Sequence, residues 1–261
     1  MIELDKVSFA WPGLSADLPA AFAELSLTIE VGEKVVLLGA NGCGKSTLLK
    51  LLDGLLAPTA GTYRYAGETV TPTALKDRER ARSFRREVGL LFQHPEAMLF
   101  NPTVFDEIAY TPRRLGLSDA DARARYWLSA LGLDALAAKA PFNLSGGEKQ
   151  KVALASVLVL EPRLLLLDEP SASLDPRTTG WLIDLLQDSP ATVIVSTHNL
   201  SLAAELGERC LILGEEGGFI YDGPVEAALA DLKKTFDGIT SYWINRNPKC
   251  SKLNMVFFIF C

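Results

Sequence analysis

Lys45, Ser46 and Thr47 close a glycine-rich stretch, GANGCGKST, at residues 39–47. A lysine beside two hydroxyls, reached through small residues, suits a polyphosphate and its metal. The glycines let the backbone N–H groups of Gly39, Ala40, Asn41, Gly42, Cys43 and Gly44 converge on phosphate oxygens. Lys45 would neutralise β- and γ-phosphate charge, Ser46 would ligate Mg²⁺, and Thr47 would reach the α-phosphate. A helix beginning near Lys45 adds the positive end of its dipole, about half an elementary charge. Cys43 reads as a small tolerated residue, with its side chain pointing near the nucleotide.

Two acids end an apolar run, LLLLDE at 164–169. The carboxyl end of a buried parallel strand is the ligand edge of an α/β sheet. Asp168 suits Mg²⁺ through a coordinated water, and Glu169 suits polarisation of an attacking water. Gln93, after VGLLF, offers a neutral amide to Mg²⁺ or to the lytic water. His198, in VSTHNL, also follows a strand and can donate to a γ-phosphate. The other histidine, His94, reads as a surface residue. Trp11, in SFAWPG, can stack on an adenine ring.

The elements that must hold these groups follow from hydropathy. KVVLLG at 34–39 is continuously apolar, as in a strand buried on both faces. Similar runs recur at 88–92, 163–167, 192–196 and 209–213, with helical patterns between most of them. That alternation predicts an α/β domain with a parallel sheet. Runs at 2–11 and 22–31 predict β structure before it. The stretch from about 94 to 160 lacks buried strands and predicts an inserted helical subdomain. Its helix over 118–132 has Ser118 and Asp119 as candidate N-caps. Residues 76–86, KDRERARSFRR, read as a solvated helix face.

The chain of 261 residues is 48% hydrophobic, enough for a substantial core, and carries a formal net charge of −6. No concentrated basic stripe is evident, which argues against nucleic acid as a partner. The charged N-terminal residues do not read as a secretory signal, and no run approaches the roughly 18 apolar residues of a membrane span. Four cysteines without metal or disulfide spacing point to a reducing, cytoplasmic setting. Residues 236–261 form an atypical C-terminal tail. Its last part, 241–261, lacks Ala and Gly and is rich in Asn, Lys, Ile and Phe. That switch from GC-rich to AT-rich codon usage fits an appended or out-of-frame sequence; a natural docking tail is the alternative.

One motif is left over. LSGGEKQ at 144–150 would open a second glycine-started helix although one phosphate cradle is already present. With it, the order GANGCGKST, Gln93, LSGGEKQ, LLLLDEP, SASLD and His198 resembles that of the ATP-binding cassette (ABC) ATPases over about residues 1–235. The resemblance implies a P-loop sheet core with an N-terminal antiparallel β subdomain and an inserted helical subdomain. It also implies ATP hydrolysis by a head-to-tail pair of cassettes, a homodimer or a heterodimer. Ser145, Gly146, Gly147 and Glu148 would face the ATP held by the partner's P-loop, with Asp175 at the same seam. A signature loop supplied in trans would fill the place that an arginine finger takes in other P-loop enzymes.

The stretch FQHPEAMLFNPTVFDEIAYTPRRLGLS at 92–118 resembles the ATPases of energy-coupling factor importers, including cobalt- and nickel-type systems. In that family it builds a groove for a coupling helix of a polytopic membrane protein. Met98, Leu99, Phe100, Val104 and Phe105 would line it, and Glu96, Asp106 and Glu107 would rim it. The implied setting is peripheral, at the cytoplasmic face of the membrane, with a substrate-binding membrane subunit as a further partner. Lys151 departs from the Arg usual after the signature, and Trp11 from the more common Tyr. The competing readings are a soluble ABC-type switch and an ATPase of another ABC transporter class. Against the switch, the chain has neither the inserted coiled coils of repair relatives nor the paired cassettes of translation relatives.

Overall fold

A computed structural model describes residues 1–12, 21–214 and 217–230. The atypical tail at 236–261 lies outside the described residues.

The P-loop lies on a six-stranded sheet. Its order is β10 (Phe219–Pro224), β9 (Arg209–Leu213), β3 (Lys34–Gly39), β8 (Thr192–Ser196), β7 (Leu164–Asp168) and β6 (Val88–Leu91). The pairs from β9 to β6 are parallel, and β10 returns antiparallel beside β9. Both faces of the sheet are covered, as the continuous apolar runs require. In β3, Val35 and Leu37 pack into one hydrophobic cluster while Val36 and Leu38 pack into the other. Leu164 and Leu166 part from Leu165 and Leu167 in the same way along β7. This period-two division is what a strand produces when apolar layers lie on both sides.

A second, antiparallel sheet has the order β2 (Phe22–Ile29), β1 (Ile2–Phe9), β4 (Ala60–Tyr65), β5 (Glu68–Thr69). Strands β4, β5 and β10 are additions to the strands read from sequence. They are short or polar on alternate positions, so no apolar run marks them. β4 is nevertheless anchored: the hydroxyl of fully buried Tyr63 donates to the carbonyl of Leu52 at 2.7 Å. Leu52 ends the P-loop helix α1 (Lys45–Leu52).

Helix α2 (Arg78–Glu87) precedes β6. It is less uniformly solvated than its charges imply, because Ala81 and Phe84 are buried on its inner side. Between β6 and β7 the chain forms helices α3 (Val104–Arg114), α4 (Ala120–Ala130) and α5 (Gly146–Leu158), joined by short 3₁₀ turns. Asp119 is the N-cap residue of α4, but its carboxylate binds Arg123 Nε at 2.7 Å rather than a helix N–H. Helices α6 (Pro176–Asp188) and α7 (Leu200–Leu206) flank β8. None of the described helices is long and apolar enough to cross a membrane.

Candidate active site

The carboxyl ends of β3, β7 and β8 converge where parallel register puts them. Asp168 pairs with Ser196 across β7 and β8, and Leu37 pairs with Ser196 across β3 and β8. GANGCGKST is the turn between β3 and α1. Gly39 and Gly44 have φ of 149° and 107°, conformations that side chains resist. A Cβ on Gly39 would also lie 2.5 Å from the Leu213 carbonyl oxygen. Lys45 is buried, and its Nζ donates to the carbonyls of Gly39 at 2.8 Å and Ala40 at 3.0 Å. The lysine thus lies across the mouth of its own loop. Asn41 and Gly42 are exposed at the tip, and Ser46 and Thr47 are half-buried in the first turn of α1. Cys43 differs from expectation. Its side chain is buried in the hydrophobic cluster beneath the loop, and its N–H donates to the Ala40 carbonyl at 3.3 Å.

Asp168 and Glu169 are each 5% exposed. Ser196 Oγ donates to Asp168 Oδ1 at 2.5 Å, fixing the carboxylate. Glu169 has φ of 49°, a left-handed conformation that costs a non-glycine residue roughly 1 kcal/mol or more. Its N–H is held by the carbonyl and hydroxyl oxygens of Ser196, both at 3.2 Å. Its Oε2 lies 2.8 Å from His198 Nδ1. The carboxylate and imidazole therefore form one unit at the sheet edge, with the ring 56% exposed. Gln93 and His94 follow β6 and are exposed; His94 lies 3.8 Å from Glu96. Trp11 is 44% exposed and stands edge-on to Phe9, ring centroids 5.1 Å apart.

LSGGEKQ forms the start of α5. Ser145 is the N-cap: Glu148 N–H donates to Ser145 Oγ, while Ser145 N–H and Oγ–H both donate to Glu148 Oε2 at 2.7 Å. This reciprocal capping box satisfies two donors at a helix start. It assigns Glu148 to the helix itself, where the Ser145 hydrogen bonds hold its carboxyl below the usual carboxylate range. A Cβ on Gly147 would lie 2.9 Å from the Ser173 carbonyl oxygen, so the helix start and the SASLD segment touch backbone to side.

Two further contacts join the same segments. Gln150 is 1% exposed and donates to the Pro170 carbonyl at 3.1 Å. Lys151 Nζ lies 3.5 Å from Asp175 Oδ2, supplying the cation expected there as Arg. Asp175 caps α6 through Thr178 N–H and Oγ1, bonds that hold its carboxyl well below the usual range. Gln150 was visible in the motif, but its buried bond to the loop after Glu169 was not. A polar residue on the apolar side of a helix was the available signal.

The 92–118 segment differs from its expected groove in two places. Val104 is fully buried in the core. Glu107 is 4% exposed and accepts from Phe100 N–H, Asn101 N–H and Asn101 Nδ2, at 2.8, 2.6 and 3.1 Å. It is an internal brace for the loop, not a rim acid. Phe100 is exposed and stacks edge-on against Tyr110, ring centroids 5.0 Å apart.

A phosphate-binding loop on a doubly covered parallel sheet, strand-end acids and a capped Ser-Gly-Gly helix define a cassette-type P-loop ATPase. The chain belongs to the ABC transporter family, whose profile matches residues 22–172. It is 44% identical over 236 residues to the nickel import ATP-binding protein NikO of Rhodobacter capsulatus, covering 87% of this chain and 91% of that one. It is 40% identical over 240 residues to a putative ABC transporter ATP-binding protein of Methanosarcina acetivorans, covering 89% and 86%. Among solved structures, cbiO1 of Clostridium perfringens, part of the cbiONQ complex, superposes with a TM-score of 0.73 at 27% identity, covering 95% of this chain and 96% of that one. The cassette MJ0796, dimeric and bound to ADP and Pi, gives 0.76 at 27% identity, covering 86% and 99%.

Proposed function

We propose that this ATPase powers an energy-coupling factor type importer of a metal ion or vitamin, as one of two cassettes beneath a polytopic membrane protein. A substrate-binding membrane subunit would complete the assembly, at the cytoplasmic face of the membrane. The observation that carries the hydrolytic part is the buried Glu169, 2.8 Å from His198 Nδ1 on the same sheet edge as the P-loop. The similarity to NikO and to cbiO1 supports the importer part.

ATP would bind with adenine on Trp11 and its phosphates on the amides of residues 39–44. Lys45 would leave the carbonyls of Gly39 and Ala40 for the β- and γ-phosphates, exchanging two neutral acceptors for charged ones. Thr47 would reach the α-phosphate. The donor set for Mg²⁺ is all oxygen: the Ser46 hydroxyl, the Gln93 amide and Asp168 through water. Such donors suit a hard cation. When bound, Mg²⁺ neutralises charge on the β- and γ-phosphates. Glu169 would take a proton from the attacking water while Gln93 helps position it. His198, with Nδ1 engaged by Glu169, would present Nε2 to the γ-phosphate. Across the dimer, Ser145 and the N–H groups of Gly146 and Gly147 would close on the partner's γ-phosphate. Glu148 would shape that helix start, and Asp175 would stand at the same seam.

The test is capture from solubilised membranes of the native host with the tagged Glu169→Gln variant locked by ATP. Recovery of a polytopic membrane protein supports the importer reading. Recovery of soluble partners alone, with the protein absent from membranes, rejects it.

A further inference from the structure

Helix α5 carries one amide into the interior. Gln150 lies three and four residues before buried Ala153 and Leu154, on the same helix face, and is 1% exposed. Among the described residues it is the one buried side-chain amide. An amide in such a place is costly unless it is hydrogen-bonded. Its Nε2 donates to the Pro170 carbonyl at 3.1 Å, and Pro170 is itself buried. One turn earlier on that face, Gly147 lies against the Ser173 carbonyl. This face of α5 is fitted to the loop 170–173, and the Gln150 bond enters that loop at its first residue.

The residue just before Pro170 is Glu169, with its φ of 49°. Two preferences oppose that conformation. A side chain resists a left-handed φ, and a following proline steers the residue before it toward extended backbone. Such a conformation persists only where its surroundings hold it. On one side the hold is Ser196, whose carbonyl and hydroxyl oxygens accept the Glu169 N–H. On the other side Pro170 has no N–H to give. The Ala172 N–H closes the turn on the Glu169 carbonyl at 3.2 Å, and Gln150 ties the turn to α5.

We infer that Gln150 is a positioning residue for ATP hydrolysis: its bond to Pro170 fixes the left-handed turn that aims the Glu169 carboxylate. The inference rests on the reading of Glu169 as the base. Gln150 acts on the backbone beyond Glu169, not on the reacting atoms. With the bond in place, the carboxylate stands 2.8 Å from His198 Nδ1. Without it, the backbone at 169–170 can relax toward the extended form, and the carboxylate moves with it. A misplacement of about 1 Å costs a positioned reaction roughly 10²-fold.

The test uses the full chain with substitutions at both positions. Gln150→Met keeps the length and loses the donor. Gln150→Glu loses the donor when ionised and regains one when protonated, and burial pushes such a carboxyl's pKa up. Turnover is measured per bound nucleotide, so that unfolded protein does not count. Expected for Gln150→Met are a kcat lower by roughly tenfold or more and a KM for ATP within about twofold of wild type. Expected for Gln150→Glu is turnover that recovers roughly several-fold, relative to wild type at the same pH, as pH falls from about 8 to about 6. Added to Glu169→Gln, Gln150→Met should cost nothing further, since no base is left to aim. Unchanged kcat in Gln150→Met overturns the inference. So does an equal further loss in the Glu169→Gln background, or a pH-independent loss in Gln150→Glu, either of which assigns Gln150 to packing. If Gln150→Met binds no nucleotide, the pH profile of Gln150→Glu decides alone. If Glu169→Gln keeps full turnover, the base reading itself has failed; if it loses turnover and Gln150→Met does not, only the assignment of Gln150 has.

Discussion

Asp168 and Glu169 are each 5% exposed, at the end of a strand whose side chains are buried on both faces. Ser145 and Gly146, proposed to face a partner's phosphate, are exposed at a helix start whose polar groups satisfy one another. The first region is held by tertiary structure: Ser196 grips Asp168 and the Glu169 backbone, and His198 grips the Glu169 side chain. The second is held by local structure, a capping box within four residues. The difference matches two demands of the proposed roles. A base must be oriented before its substrate arrives, whereas a surface that closes on another chain's nucleotide must stay open to that chain. Gln150, Gly147 and Lys151 tie the two regions together, because each touches the segment that follows Glu169.

The comparison is broken most strongly at its rigid end. Glu169→Gln keeps the shape and much of the hydrogen bonding but cannot take a proton. ATP turnover should fall about 10²–10⁴-fold while nucleotide binding persists. Turnover and equilibrium binding on the same preparation check this, and retention of full turnover would remove Glu169 from the role of base.

Gly147→Ala tests the junction. Its Cβ would meet the Ser173 carbonyl oxygen at 2.9 Å, so either the helix start or the SASLD segment must move. Displacement by a fraction of an ångström at a phosphate-closing surface should lower turnover by roughly tenfold or more. Binding of ATP to the isolated chain should hardly change, since its own P-loop lies elsewhere. Equal loss of both would mean that the two regions are not separable.

The rigid region was also the more legible one in the sequence. β3, β7 and β8 are buried on both faces, so their apolar runs are uninterrupted, and the chemistry sits at their ends. Hydropathy is silent where a strand is short or largely exposed, as with β4, β5 and β10. The same limit explains Glu107 and Val104. Sequence places both on an apparently exposed docking segment, but α3 turns Val104 into the core and Glu107 back onto the loop before it. A buried acid that accepts backbone N–H groups looks, in sequence, like any surface glutamate. Cys43 misled in the same way, since the loop turns its thiol inward.

A smaller effect is expected at Asp53, which follows α1. Burial raises its pKa to about 7, with Arg85 opposing. The unfolded value is near 4, so the folded state binds the proton more tightly. This group's contribution to stability is therefore fully present below about pH 4 and is lost as pH rises through about 7. Asp53→Asn should remove that slope. Its Tm should exceed the wild type's at pH 8 by roughly 2–4 °C for each ~1 kcal/mol recovered, and the gain should shrink toward pH 5. Thermal melts at the two pH values check the sign; an equal shift at both would mean that the carboxyl does not titrate in this range.

The smallest effect belongs to the open region. Glu148→Ala breaks the capping box and frees the Ser145 N–H and hydroxyl. These groups face solvent, so water replaces the lost partner and Tm should fall only slightly, less than the Asp53 shift. Glu148 has a lowered folded pKa, so its contribution is present above the ordinary glutamate pKa and fades as pH falls through the folded one. Turnover is the more informative readout. If the capping box holds Ser145 in the orientation used across the dimer, turnover should fall several-fold with little change in Tm, and Glu148→Gln should restore much of it by accepting the same bonds. A Tm loss with unchanged turnover would instead assign the box to helix stability alone, leaving Ser145 free to be oriented by the arriving phosphate.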